Sequence, residues 1–343
     1  MPHPRRYQLA AYNHSILFRI FGKILMQMRT LPKILLFALL AVCCGGPKGK
    51  RATVQDRMFP VVSVPAAYTE EADQIAYAAA HYWDGYLSEG GPTDSAHLLG
   101  VPKAEVEQAL SDYISLLWLQ PLPVAQQNVA GLFKAVSAVQ EKDPSGQFYT
   151  QFAQTAAYYF YDPNSPMRDE DLWLPFVAGL AESPLTRDDM RTAYRYEASM
   201  CSLCPRGSIA PDISAQRPDG SRFTLHGIKA PLTLLFFTNP GCNACKEIID
   251  QINLNLGELV AEGTLAVANI YIDEDYAAWR AYVGHYPKEW YTGFDYAEVV
   301  RGEHIYDVRA IPSVYLLDAD KRILLKDAPF ERVMETLQQE NVF

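Results

Sequence analysis

The chain has 343 residues, 49% of them apolar and 20% charged, with a net charge of −10. That length allows two ordinary domains and a leader, and the composition is that of a folded globular protein. The negative balance argues against nucleic acid as a main partner, because phosphate binding needs clustered Lys and Arg; the dense basic runs, Arg5-Arg6 and Lys48 to Arg51, read as solvated tail.

The six cysteines fall in three close pairs, Cys43/Cys44, Cys201/Cys204 and Cys242/Cys245. So low a count does not make a disulfide-stapled scaffold; it points to cysteines placed for chemistry. From Met28 the stretch MRTLPKILLFALLAVCCGG sets Arg29 and Lys33 ahead of a nine-residue apolar core, Ile34 to Val42. A membrane-spanning helix takes roughly 20 residues, so this core has the size and flanks of a secretory signal. A cysteine directly after it, followed by Gly45-Gly46, resembles a bacterial lipoprotein cleavage site, with Cys43 or Cys44 as the lipidated residue. An ordinary signal peptide or an uncleaved anchor is the alternative. Residues 1–27 place a polar, basic segment ahead of a complete signal, so the expected start is Met28 or Met26 and 1–27 an upstream extension. Residues 28–44 are then the signal segment and 45–60, with GGPKGKRATVQDR, a flexible tether.

From 61 to 205 the pattern is helical. Thr69 before Glu70 and Glu71 reads as an N-cap with acids in the first turn. Val106, Ala109, Leu110, Tyr113, Ile114 and Leu117 recur with a helical period; so do Val129, Leu132, Phe133 and Val136, and Phe148, Phe152, Ala156, Tyr159 and Phe160. Thr186 with Asp189 reads as a capping box before a helix through Met200. Five or six helices in an all-helical domain are expected, with Tyr and Phe serving as core.

From 206 to 343 the pattern is that of an α/β domain, β-β-α-β-α-β-β-α with an antiparallel end. PLTLLFF (231–237) reads as a central strand covered on both faces. A helix from Asn243, a second buried strand TLAVANIYID, a hairpin in SVYLLDADKRILLKD and a closing helix in APFERVMETLQQ follow. Residues 285–305 read as an inserted loop. Within it Trp290 and Tyr291 are candidates for a substrate surface, although Trp290 as plain core is the simpler reading.

The chemistry concentrates in TNPGCNACKE (238–247). Cys242 stands where a buried strand meets a helix, and the free N–H groups of a helix N-terminus stabilise a thiolate. Cys242 is therefore the expected nucleophile with a lowered pKa, Lys246 adds positive charge one turn on, and Cys245 is near enough to close a disulfide. Asn239-Pro240-Gly241 supplies the tight turn. Far along the chain, Ile311-Pro312 directly precedes a strand, where a proline removes a ladder hydrogen bond and a cis peptide would account for it.

These motifs in this order, GSIAPDI, strand then Cys-x-x-Cys then helix, AIPSVYLLD, and the final hairpin and helix, resemble the thioredoxin fold in its TlpA/ResA-like branch of extracytoplasmic thiol–disulfide proteins. The resemblance implies that Pro312 is cis and packs against the Cys-x-x-Cys, and that the backbones of Ile311 and Gly241 meet the substrate. It also implies protein thiol or disulfide clients, a membrane or soluble thiol reductant, and no cofactor or metal. The family commonly has Trp where Gly241 stands, and a buried carboxylate near the second cysteine that has no evident counterpart here. The whole arrangement also resembles Bacteroidales lipoproteins in which a helical domain of unknown function precedes such a domain, which implies an exported, lipid-anchored protein facing the periplasm or cell surface.

Cys201 and Cys204 share a helix face and could form a second redox pair, or could be small apolar residues ending a helix. A four-cysteine zinc site is the weakest reading, since 37 residues separate the pairs against a usual spacing of about 15–20. The expected activity is thiol–disulfide exchange, with reduction of client disulfides as the favoured direction. The alternatives are a surface interaction protein with a static Cys242–Cys245 disulfide, and a peroxidase, for which Thr238 stands too far from a paired cysteine.

Overall fold

The computed structural model describes residues 56–339. The upstream extension, the signal segment with Cys43 and Cys44, and most of the tether lie outside the described residues. The chain divides into two compact units, one comprising the residues up to Gln120 with Ala138–Phe152, the other Pro121–Ser137 with Ala153 onward. No helix among the described residues is long and apolar enough to cross a membrane.

The first unit contains α1 (Glu71–Ala80), α2 (Asp84–Ser88), a two-stranded antiparallel ladder of β1 (His97–Leu98) and β2 (Val101–Pro102), and α3 (Lys103–Leu117). Its core is aromatic. The Trp83 ring meets Phe59, Tyr113 and Phe152 edge-on at 5.4 to 5.6 Å, the offset geometry that ring quadrupoles favour. Tyr86 is fully buried and donates its hydroxyl to the Leu98 carbonyl at 3.0 Å. α1 does not use Thr69 as a cap: Glu70 occupies that position in extended conformation and makes no side-chain capping bond.

Helices α4 (Leu122–Lys142) and α5 (Phe148–Phe160) contribute to both units, and α6 (Glu170–Glu182) and α7 (Asp188–Cys201) belong to the second. Seven helices therefore precede Cys204 among the described residues, against the five or six expected. Helix α6 is the one the sequence hides, because Pro175 stands inside it and an interior proline ordinarily breaks a helix. The proline leaves the Asp171 carbonyl without its helical donor, and the Gln126 side chain supplies one at 2.8 Å. α7 begins at Asp188 behind Arg187, not behind Thr186. Thr186 is drawn into a turn in which its N–H donates to the Ser183 carbonyl, so the expected capping box does not form.

The rest of the second unit is a seven-stranded sheet in the order β4-β3-β7-β6-β5-β8-β9, with β3 at Ser214–Gln216, β4 at Arg222–Thr224, β5 at Leu232–Phe237, β6 at Leu265–Tyr271, β7 at Tyr291–Phe294, β8 at Ser313–Leu317 and β9 at Ile323–Leu325. β5 runs parallel to β6 and antiparallel to β8. Its alternating side chains serve two cores. Leu234 and Phe236 pack with Ile249 and Ile252 of α8 (Asn243–Asn255) and Val333 of α12 (Phe330–Gln339). Leu235 and Phe237 pack on the other face with Ile213, Leu225 and Tyr306. The short helices α9 (Gly257–Ala261), α10 (Tyr276–Tyr282) and α11 (Val299–Gly302) complete the connections.

Residues 285–305 are not an inserted loop. They carry β7, which joins β6 to β3, and α11. A four-residue strand is too short to show an alternating pattern, and it includes Gly293. A Cβ there would lie 2.6 Å from the Ala215 Cβ and 2.8 Å from the Phe223 ring, so the glycine is what lets β3 and its neighbour cross so closely.

Candidate active site

β5 ends at Phe237, and after four intervening residues the chain enters α8 with Cys242 as its N-cap. The turn between them is set by Gly241, whose φ of 73° lies in the left-handed region open to glycine at little cost. The Cys242 N–H donates to the Asn239 carbonyl at 3.3 Å, closing that turn. The Cys242 Sγ accepts the Cys245 N–H at 3.1 Å. The sulfur thus occupies the position where a helix presents free donors and its positive dipole end, which is where an anion is stabilised.

Cys242 and Cys245 are joined as a disulfide, with Cα atoms 5.3 Å apart. Cys245 is buried among Phe236, Ile249 and Trp290, whereas Cys242 is half-buried and Gly241 and Lys246 are exposed. The accessible sulfur is therefore the one at the helix terminus. The Ile311–Pro312 peptide is cis, and the Ile311 carbonyl oxygen lies 4.0 Å from the Cys242 Sγ. Two motifs 69 residues apart in sequence meet here. Trp290 is core, 5% exposed, with its ring edge-on to Phe236 at 6.4 Å.

Behind the turn lies a polar cluster the sequence reading missed. Thr238 is fully buried and donates its hydroxyl to the Asn269 side-chain carbonyl at 2.6 Å. The Tyr286 hydroxyl lies 3.0 Å from the Thr238 hydroxyl oxygen, and the Asn269 amide donates to Thr292 at 3.5 Å. Burial pushes the Tyr286 hydroxyl above the ordinary phenol range, so all four groups stay neutral at physiological pH. The one signal in the sequence is a lone Asn in the apolar run LAVANIY of β6.

Cys201 and Cys204 are free thiols, both buried. Cys201 ends α7 and Cys204 follows the turn with φ 50°. The Cys204 thiol donates to the Ile305 carbonyl at 3.0 Å. Burial pushes Cys201 well above the ordinary thiol range and Cys204 to about 12. Among the described residues, no group of three or more His, Cys, Asp or Glu is placed to hold a metal ion.

A strand entering a helix at a Cys-x-x-Cys, with a cis-proline before the neighbouring antiparallel strand, defines a thioredoxin-like domain, and here a helical region precedes it. Residues 45–202 match a family model described as a domain of unknown function, DUF5106. The chain is similar to a thioredoxin-like protein from Bacteroides caccae, at 28% identity and a TM-score of 0.68, over 83% of this chain and 99% of that one. It is also similar to the C-terminal domain of an uncharacterized protein from Bacteroides fragilis, at 36% identity and a TM-score of 0.38, over 39% of this chain and 98% of that one. A third similarity is to the thioredoxin domain of a thiol-disulfide oxidoreductase from Bacteroides vulgatus, at 18% identity and a TM-score of 0.35, over 39% and 96%. No curated protein matches the chain.

Proposed function

We infer that the protein is a cell-envelope thiol–disulfide oxidoreductase that reduces disulfides in client proteins. The observation that carries this reading is the half-buried Cys242 Sγ, which accepts the Cys245 amide at a helix N-terminus and faces the Ile311 carbonyl at 4.0 Å. In the proposed cycle the Cys242 thiolate attacks one sulfur of a client disulfide. A mixed disulfide forms and the client's other sulfur leaves as a thiolate. The Cys245 thiolate then attacks the Cys242 sulfur, closing the Cys242–Cys245 disulfide and releasing the second client thiol. Two electrons pass to the client, and a thiol reductant of the envelope restores the pair. Lys246, exposed at the first turn of α8, favours the thiolate, and the backbones of Ile311 and Gly241 receive the client chain.

We assign this chemistry to residues 206–343, with 61–205 as the helical region that precedes them. Attack is assigned to Cys242 rather than to Cys201 or Cys204, because burial keeps both of those sulfurs protonated and a thiol is a poor nucleophile. Export and a lipid at Cys43 or Cys44 rest on the leader sequence.

The test is a Cys245→Ser variant of the full chain, expressed in a bacterial envelope. It should accumulate covalent partners through Cys242 that survive non-reducing electrophoresis and vanish on adding dithiothreitol or on further substituting Cys242. A variant that collects no such partners contradicts the assignment.

A further inference from the structure

The segment leading into the Ile311–Pro312 peptide is held from behind by charged groups that the thiol chemistry does not use. Arg309 stands three residues before Pro312. Its Nε and Nη2 both donate to Glu170 Oε1, at 3.1 and 2.7 Å, and Nη2 also reaches Asp327 at 3.3 Å. Its guanidinium lies over the Tyr161 ring at 3.7 Å and donates Nη1 to the Tyr161 carbonyl. Glu170, the first residue of α6, is itself buried, with its side chain 1% exposed. Its other oxygen pairs with Lys326 at 2.9 Å, and Lys326 donates to the carbonyls of Cys201 and Leu203 at 2.7 and 2.6 Å.

The two flanking acids repeat the pattern. Asp169 and Asp171 both hold Arg206, each at 2.9 Å. The run Asp169-Glu170-Asp171 at the start of α6 therefore grips three cations from the region beyond residue 205. Buried ion pairs are a weak source of stability, because desolvation of the charges offsets their attraction; apolar packing would dock a helix equally well. What a planar guanidinium fork adds is a fixed position and orientation. Here the position fixed is that of the backbone entering the loop whose next-but-one carbonyl faces Cys242.

We propose that Glu170 and Arg309 form a positioning clamp through which helix 170–182, part of the region of unknown function, sets the Ile311–Pro312 loop for contact with a client backbone. Both are positioning residues, since neither touches the reacting sulfurs. The inference rests on the redox reading above and adds a role for the helical region within it. A client protein that must lie along Ile311 depends on the clamp. A small disulfide with no backbone to lay there does not.

The experiment measures, for the reduced full chain, the second-order rate constants towards the disulfides of insulin and towards Ellman's reagent. Arg309→Lys keeps the charge and loses the fork. It should lower the insulin constant about tenfold, the factor expected when one charge-assisted hydrogen bond is lost, while leaving the Ellman's constant within about twofold. Tyr161→Leu, which removes only the ring under the guanidinium, should act in the same direction to a smaller extent and decides the matter if Arg309→Lys does not fold. Constants that stay unchanged, or that fall together in a variant with a cooperative thermal transition, overturn the clamp. A wild type that reduces neither probe overturns the redox reading itself, and the clamp with it. A wild type that reacts with Ellman's reagent alone overturns the clamp and leaves the reactive thiol standing.

Discussion

Gly241 bears the sharpest backbone demand at the site. Its φ of 73° lies in the left-handed region, yet a Cβ built there meets nothing within 4 Å. The penalty for a side chain is therefore conformational and not steric. Gly241→Ala should lower the unfolding free energy by about 1 kcal/mol, read from urea denaturation of the oxidised chain; an unchanged midpoint and slope would contradict the account. Because the penalty belongs to the backbone, the Trp common at this place in thioredoxin-like relatives would meet the same cost here. At this scale the sequence was legible wherever a residue's role depends on its neighbours along the chain. Cys242 could be placed because an apolar strand, a turn and a helix follow one another directly. Thr238, Asn269 and Tyr286 could not be read as a cluster, because they stand on three separate segments, just past β5, within β6 and beyond α10, and the parallel pairing of β5 with β6 brings the first two together.

At the scale of elements, the segment 305–313 behaves as a tethered strap. Tyr306 donates its hydroxyl to the Pro211 carbonyl, Tyr315 donates to the Asp307 carbonyl at 3.3 Å, and Arg309 is fixed to Glu170. The strap carries a testable pH dependence. Burial first, and then the charge of Glu170, raise the Asp307 pKa to about 7, against the lowering influence of Arg309 and Lys326. The folded value stands above the unfolded one, so folding takes up a proton. The stability Asp307 contributes is fully present below about pH 4 and is lost as pH rises through about 7. Thermal melts between pH 5 and 8 should therefore show the wild type losing stability with rising pH more steeply than Asp307→Asn; parallel curves would contradict this. Two elements escaped the sequence reading for opposite reasons. Helix α6 was masked by Pro175, which leaves the Asp171 carbonyl without its helical donor until Gln126 from another helix supplies one. Strand β7 was masked by its brevity and by Gly293, whose purpose appears only when Ala215 and Phe223 are seen against it. The strands β5 and β6 were legible because both faces are buried and their sequences are almost unbroken apolar runs.

For the molecule as a whole, the change in pattern near residue 205 and the order of motifs after it were enough to foresee a helical region followed by a thioredoxin-like one. What lay beyond the sequence was the acidic run Asp169-Glu170-Asp171, whose partners stand 35 to 156 residues further on and so share no local pattern with it. The account as a whole requires that Cys242 and Cys245 work as a dithiol–disulfide couple. A helix N-terminus that stabilises the Cys242 thiolate favours the reduced form and so raises the reduction potential. The most direct measurement is equilibration of the purified full chain against graded mixtures of reduced and oxidised thiol buffer, with the fraction of Cys242–Cys245 disulfide read by thiol alkylation and mass spectrometry. The account predicts a reversible two-electron transition at a potential above about −300 mV, where working disulfides lie. A pair that stays oxidised in buffers poised below that value would be a static crosslink, and the redox function would be wrong.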